Sequence, residues 1–239
     1  MRTPSSSAEP VPAAGAAGAG VVLINPNTSV ATTAMMVALA RRELAASGLP
    51  VHGVTVRRGP RTLTDPAALA AAAPQVVTAG LRSVARGQCA ALIVGAFGDP
   101  GLAELRARAG VPVVGLAEAS LREAAAGGAR FGVATTTPEL AGAIAARVAG
   151  LGLTPRYTGI RLTTDDPSHL AAHPDLLLDQ LAVAVRRSLT EDGATRVVIG
   201  GGPLGEAAEA LRPRFPTELI APVPAACRAV LTALGRTAE

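Results

Sequence analysis

Short apolar runs alternating with helix-forming segments constrain this chain more than any other feature. Eight runs can be read: Gly20 to Asn25, Val51 to Val56, Ala90 to Ala96, Val111 to Leu116, Arg130 to Ala134, an extended piece from Pro155 to Leu162, Arg196 to Ile199, and Glu218 to Ile220. The segments between and after them are amphipathic or alanine-rich. They are Thr28 to Ser47, Pro66 to Arg86, Gly101 to Ala109, a stretch to about Ala126, Pro138 to Leu151, Asp175 to Thr190, Leu204 to Leu211 and Ala225 to Leu234. Continuous Val, Ile and Leu runs fit strands covered on both faces by helices. The expected fold class is therefore α/β, with largely parallel sheets flanked by helices.

The pattern also repeats internally. Gly20 to Thr28 resembles Phe131 to Pro138, and Asn25 stands 110 residues before Thr135. Two glycine-rich turns, Gly95-Ala96-Phe97-Gly98 and Gly200-Gly201-Gly202-Pro203, place Ala96 and Gly201 105 residues apart. Similar spacings point to two pseudo-symmetric lobes with an active site between them, because ligands of α/β sheets bind beyond the carboxyl ends of strands. The expected division puts 20–112 and 205–239 in one lobe and 113–204 in the other. Residues 1–19, mostly Ala, Gly, Pro and Ser, read as a disordered tail without the apolar segment of an export signal.

Composition removes several function classes. The chain has no lysine, which excludes a Schiff-base lysine and a Walker phosphate loop. Its arginines are scattered, the net charge is only +4, and with one Tyr and no Trp it has little to stack on bases. Nucleic acid is thus not an expected partner. No apolar run is long enough for a membrane helix. Two cysteines make no disulfide framework, which fits a reducing cytoplasm.

Polar residues at strand ends are the candidates for chemistry. Asn25, Asn27, Thr28 and Ser29 end a buried strand and open a helix. Asn27 or Thr28 can cap that helix, and four polar groups in a row also suit a carboxylate or carbonyl. Thr135, Thr136 and Thr137 form the equivalent turn, with Thr137 as cap before Pro138, or as ligand contact. Asp99 is either a turn residue or a general acid or base facing the cleft. Glu118 is an exposed first-turn helix acid or a cleft residue. Tyr157, the single tyrosine, is a further proton-transfer candidate, although packing is its more ordinary role. Ala96, Phe97, Gly201, Gly202 and Pro203 would line the pocket. His169 and His173 stand four apart but lack a third ligand, so they read as a solvated loop and no metal is expected. His52 reads as structural. Cys89 and Cys227 read as small buried hydrophobes.

Ile24-Asn25-Pro26-Asn27-Thr28-Ser29, Phe97-Gly98-Asp99-Pro100-Gly101-Leu102, Val111-Pro112-Val113-Val114-Gly115 through Glu118-Ala119, and Val197-Val198-Ile199-Gly200 carry a resemblance. The chain resembles the aspartate/glutamate/hydantoin racemase superfamily, nearest its hydantoin and allantoin racemases, over roughly Gly20 to Gly235. The resemblance implies two α/β lobes, no cofactor and no metal. It also implies one cysteine on each side of the substrate α-carbon, at the positions held here by Ala96 and Gly201. A methyl group and a hydrogen cannot shuttle protons, so two-thiol racemisation is not expected. The expectation is an isomerase, lyase or cyclase acting on a small carboxylate or cyclic amide through carbonyl polarisation and enolate stabilisation. A retired ligand-binding member, or a racemase with non-cysteine bases, remains open. The expected protein is a cytoplasmic homo-oligomer.

Overall fold

A computed structural model of the chain describes residues 19–87, 89–216 and 219–236. The tail expected over 1–19 lies outside these residues except for its last position, as does Glu218, the expected start of the last strand.

The two halves of the chain build the same sheet twice. β1 (Gly20–Asn25), β2 (Val51–Thr55), β3 (Cys89–Val94) and β4 (Val113–Gly115) form one parallel sheet in the order β2-β1-β3-β4. β5 (Phe131–Thr135), β6 (Tyr157–Leu162), β7 (Arg196–Ile199) and β8 (Leu219–Ile220) form another in the order β6-β5-β7-β8. The match extends to single hydrogen bonds. Val56 N donates to Asn25 O at 3.2 Å, and Thr163 N to Thr135 O at 3.1 Å. Gly95 N donates to Ile24 O and Gly200 N to Ala134 O, each at 2.8 Å. Asn25 and Thr135 are therefore equivalent, and so are the turns holding Ala96 and Gly201.

Helices cover both faces of each sheet, as fully buried strands require. They are α1 (Val30–Glu43), α2 (Pro66–Ala85), α3 (Leu102–Arg108), α4 (Leu116–Ala124), α5 (Ala141–Gly150), α6 (Pro167–Ala172), α7 (Pro174–Thr190), α8 (Gly205–Leu211) and α9 (Pro222–Ala233). Every residue of β1 is buried. Each such Val, Leu or Ile contributes roughly 1.5–3 kcal/mol by leaving water. The first helix starts at Val30, capped by Ser29, whose side chain accepts from Thr32 N. The cap is thus Ser29, not Asn27 or Thr28.

The lobe boundaries differ from those expected. β4 pairs with β3, so 113–115 belongs to the first sheet, and β8 pairs with β7, so 219–220 belongs to the second. α8 packs on α7 and β8. The following helices then cross over. α4 leaves the first sheet, and its Leu121 and Ala124 pack with Phe131 and Val133 of the second. α9 leaves the second, and its Val223, Cys227 and Val230 pack with Val21, Leu23 and Met36 of the first. The sheets thus group 20–115 with α9, and α4 with 131–220. The exchanged helices pack on each other, which joins the lobes.

Candidate active site

A cavity of about 560 Å³ lies between the carboxyl ends of the two sheets, with both lobes contributing to its wall. Asn27 is its most directed group. Asn25 Nδ2 donates to Asn27 Oδ1 at 2.8 Å, and Ser29 N donates to the same oxygen at 2.9 Å. Those two donors fix the amide orientation. They leave Asn27 Nδ2, at the cavity wall, without a protein acceptor among the described residues. Asn25 itself is fully buried and does not line the cavity; its Nδ2 also faces Ser29 O and Thr33 Oγ1, both at 3.0 Å. It positions the loop. Thr28 is likewise outside, its N and Oγ1 pinned to Pro60 O. Ser29 and Thr32 line the wall and bond to each other.

The second lobe repeats this division of labour. Buried Thr135 donates from Oγ1 to Gly200 O at 2.6 Å and holds the glycine-rich turn. Thr136 and Thr137 line the cavity. Thr137 occupies a cap position, yet its side chain makes no capping bond. The turn residues Ala96, Phe97, Gly201, Gly202 and Pro203 all line the cavity. The turns touch: a Cβ on Gly202 would stand 3.0 Å from Gly95 O. Gly201 has φ 172, an extended conformation open to any residue, and a Cβ there would meet only the Leu204 side chain, at 3.0 Å. The N–H groups of Ala96, Phe97, Gly202, Thr136 and Thr137 have no backbone acceptor among the described residues. All five residues line the cavity, and N–H donors without a backbone acceptor suit a developing negative charge.

None of the three expected proton carriers lines this cavity. Asp99 is buried, with one carboxylate oxygen accepting from Ala117 N at 2.9 Å and the other from Glu118 N at 2.8 Å and Arg147 Nη2 at 3.1 Å. Burial pushes its carboxyl up to about 6, against the opposing pull of Arg147 and the two N–H donors. Its φ is 50, a left-handed conformation that Asp tolerates better than most residues. It lies so close to Gly115 that a Cβ there would be 2.3 Å from its Cγ. Asp99 therefore anchors the start of α4. Glu118 joins Arg106, Arg122 and Arg147. Burial alone would raise its carboxyl; those arginines outweigh burial and hold it below its ordinary value. Tyr157 packs on Phe131 with ring centroids 5.6 Å apart, and burial pushes its phenol up to about 12.

Among the described residues Arg61 and Glu206 are the only ionisable side chains lining the cavity, and neither is among the candidates that the sequence offers. Glu206 sits in the first turn of α8, just past the glycine-rich turn, a position that could have drawn notice. Arg61 lies in the β2–α2 loop, where only tertiary structure shows what it reaches. The region of His169 and His173 is helical rather than a loop: α6 supplies Ser168 and Ala171 to the wall. The two histidines pack on each other, centroids 4.3 Å apart, outside the lining. Neither cysteine reaches the cavity, and burial raises the Cys89 thiol to about 11 and the Cys227 thiol to about 12.

Residues 21–230 match the family model described as Asp/Glu/Hydantoin racemase. A hydantoin racemase of Paenarthrobacter aurescens is 30% identical over 219 residues, covering 90% of this chain and 92% of the relative. The solved allantoin racemase from Klebsiella pneumoniae superposes with a TM-score of 0.82 at 28% identity, covering 92% of this chain and 90% of that one. An allantoin racemase from Pseudomonas fluorescens gives 0.76 at 24% identity, with 92% and 93% covered, a likeness of fold.

Proposed function

Because the chain belongs to the Asp/Glu/hydantoin racemase family, we propose that it is an enzyme of the hydantoin/allantoin racemase type whose proton transfer does not use paired thiols. Its substrate is a small cyclic amide, ureide or carboxylate with an acidic C–H beside a carbonyl. The carrying observation is the cavity itself. Residues of both lobes whose N–H groups have no backbone acceptor among the described residues line one space, while the positions that the family resemblance gives to thiols hold Ala96 and Gly201.

Glu206 takes the proton from the α-carbon, and the electron pair left behind moves into the adjacent carbonyl as an enolate. Asn27 Nδ2 and the turn N–H groups stabilise the enolate oxygen, an effect strongest where water is excluded. Arg61 holds a carboxylate or carbonyl at the mouth. Water entering by the open side protonates the enolate carbon, the hydroxide so formed takes the proton held by Glu206, and protonation on the opposite face inverts the centre. The step uses only groups of this chain and solvent.

Proton NMR in D₂O with hydantoins, allantoin and substituted malonates tests this. Deuterium should enter the α-position, and Glu206→Gln should slow entry by about 10²-fold or more. Exchange undiminished in that variant removes Glu206 from the role. A second reading has one observation in its favour: Arg61 and Glu206, the charged residues of the lining, are both exposed. A ligand-binding member without turnover would then show no exchange, yet a raised melting temperature with one of these compounds.

A further inference from the structure

A second cavity, about 280 Å³, opens between the edge strand β2 and helix α2. Three arginines line it: Arg57 just past β2, Arg82 in the last turn of α2, and Arg86 at its C-cap. Arg82 and Arg86 are four residues apart on a helix and share a face. All three are exposed. Among the described residues no carboxylate lines the cavity. Among the described residues none of the three forms an ion pair. Gln75 adds an amide with no protein partner among those residues. Thr78 and Ser83, also in the wall, are already bonded to Pro74 O and Ala79 O.

Cations at a helix C-terminus oppose its dipole favourably. That accounts for Arg82 and Arg86. It does not account for Arg57, which comes from a different element to the same concavity. Nor does it explain why three like charges line one cavity with no carboxylate of the described residues among them. Their mutual repulsion falls when an anion enters, and a guanidinium presents several donors suited to phosphate or carboxylate oxygens.

We propose that this cavity is a binding site for a small multivalent oxyanion, separate from the cavity between the sheets. The site is open at the surface, so the anion exchanges with solvent. Its affinity falls as salt rises, because exposed charges are screened.

Isothermal titration of the intact protein with inorganic pyrophosphate, and separately with citrate, tests the site. Saturable one-to-one binding is expected. Tighter pyrophosphate marks phosphate chemistry, and tighter citrate marks polycarboxylate chemistry. Arg82→Gln and Arg86→Gln should each weaken binding by about tenfold, and Arg57→Gln repeats the test from the strand side. Arg42→Gln removes the same charge from an exposed position on α1 and should leave binding unchanged. The proposal is overturned by an absence of saturable binding of either anion. Equal weakening in Arg42→Gln overturns it too, since that is general surface charge. So does a DNA duplex that binds through the same arginines more tightly than either anion.

Discussion

At single positions, polar groups here divide into those that touch the cavity and those that hold the ones that do. Asn25 and Thr135 are equivalent, buried and spent on holding turns, Asn25 its own and Thr135 the glycine-rich turn at Gly200, whereas Asn27, Thr136 and Thr137 line the wall. Ala96 and Gly201 are equivalent too, and neither bears a proton carrier. If lost thiols are what separates this site from two-base racemisation, restoring them should restore it. Gly201 is extended, and a Cβ there meets only a flexible leucine. The Ala96→Cys, Gly201→Cys double variant should therefore fold. It should racemise a hydantoin substrate at least about a hundredfold faster than the parent. Iodoacetamide should abolish that gain while leaving the parent's exchange rate unchanged, because neither of the parent's thiols lines the cavity and burial raises them to about 11 and about 12. No gain, measured by polarimetry, would mean that these turns do not flank a reacting carbon. The strand-end polar residues were legible in the sequence because strand ends are where α/β sites form. Arg61 and Glu206 were not, since the reach of a loop or a first helical turn depends on packing that no local pattern encodes.

Among elements, the periodicity of the apolar runs revealed nearly all the strands and helices, but not their partners. β4 and β8 are three and two residues long. Runs so short carry no register signal, so their membership of opposite sheets was misread. α6 was missed because Pro167 and the nearby Pro174 look like loop punctuation, while both stand at helix starts. The crossing of α4 and α9 is likewise a matter of packing. Asp99 is where that crossing is anchored: it caps the start of α4 and, through Arg147, ties it to α5. Asp99→Asn keeps a side chain that tolerates the left-handed backbone but turns an N–H donor toward donors. It should cost about 2 kcal/mol, and Asp99→Ala about 1 kcal/mol more from backbone strain. Urea denaturation followed by circular dichroism measures both. An Asp99→Asn variant as stable as the parent would return Asp99 to the status of a simple turn residue.

Across the whole molecule, a chain of side-chain hydrogen bonds joins the two cavities. Thr55 lines the arginine cavity, and its Oγ1 is 2.6 Å from Thr33 Oγ1. Thr33 Oγ1 accepts from Asn25 Nδ2, which also holds Asn27 at the wall of the cavity between the sheets. The β2–α2 loop makes a parallel link, with Arg57 at one cavity, Arg61 at the other, and Pro60 O between them accepting from Thr28 N. An anion that drew Arg57 and the end of β2 together would pull on the base of this chain and, through it, on Asn27. Saturating pyrophosphate should therefore change the dissociation constant of a ligand in the cavity between the sheets by about fivefold or more. The ligand should change pyrophosphate affinity by the same factor, since coupling between binding sites is reciprocal. Thr33→Val keeps the shape of the side chain and removes its hydroxyl. It should bring that factor close to one while pyrophosphate still binds at the arginines. Paired calorimetric titrations, each ligand with and without the other, read all of these quantities. Identical affinities in the presence and absence of pyrophosphate, or coupling unchanged in Thr33→Val, would show that the hydrogen-bonded chain braces the loop without carrying a signal along it.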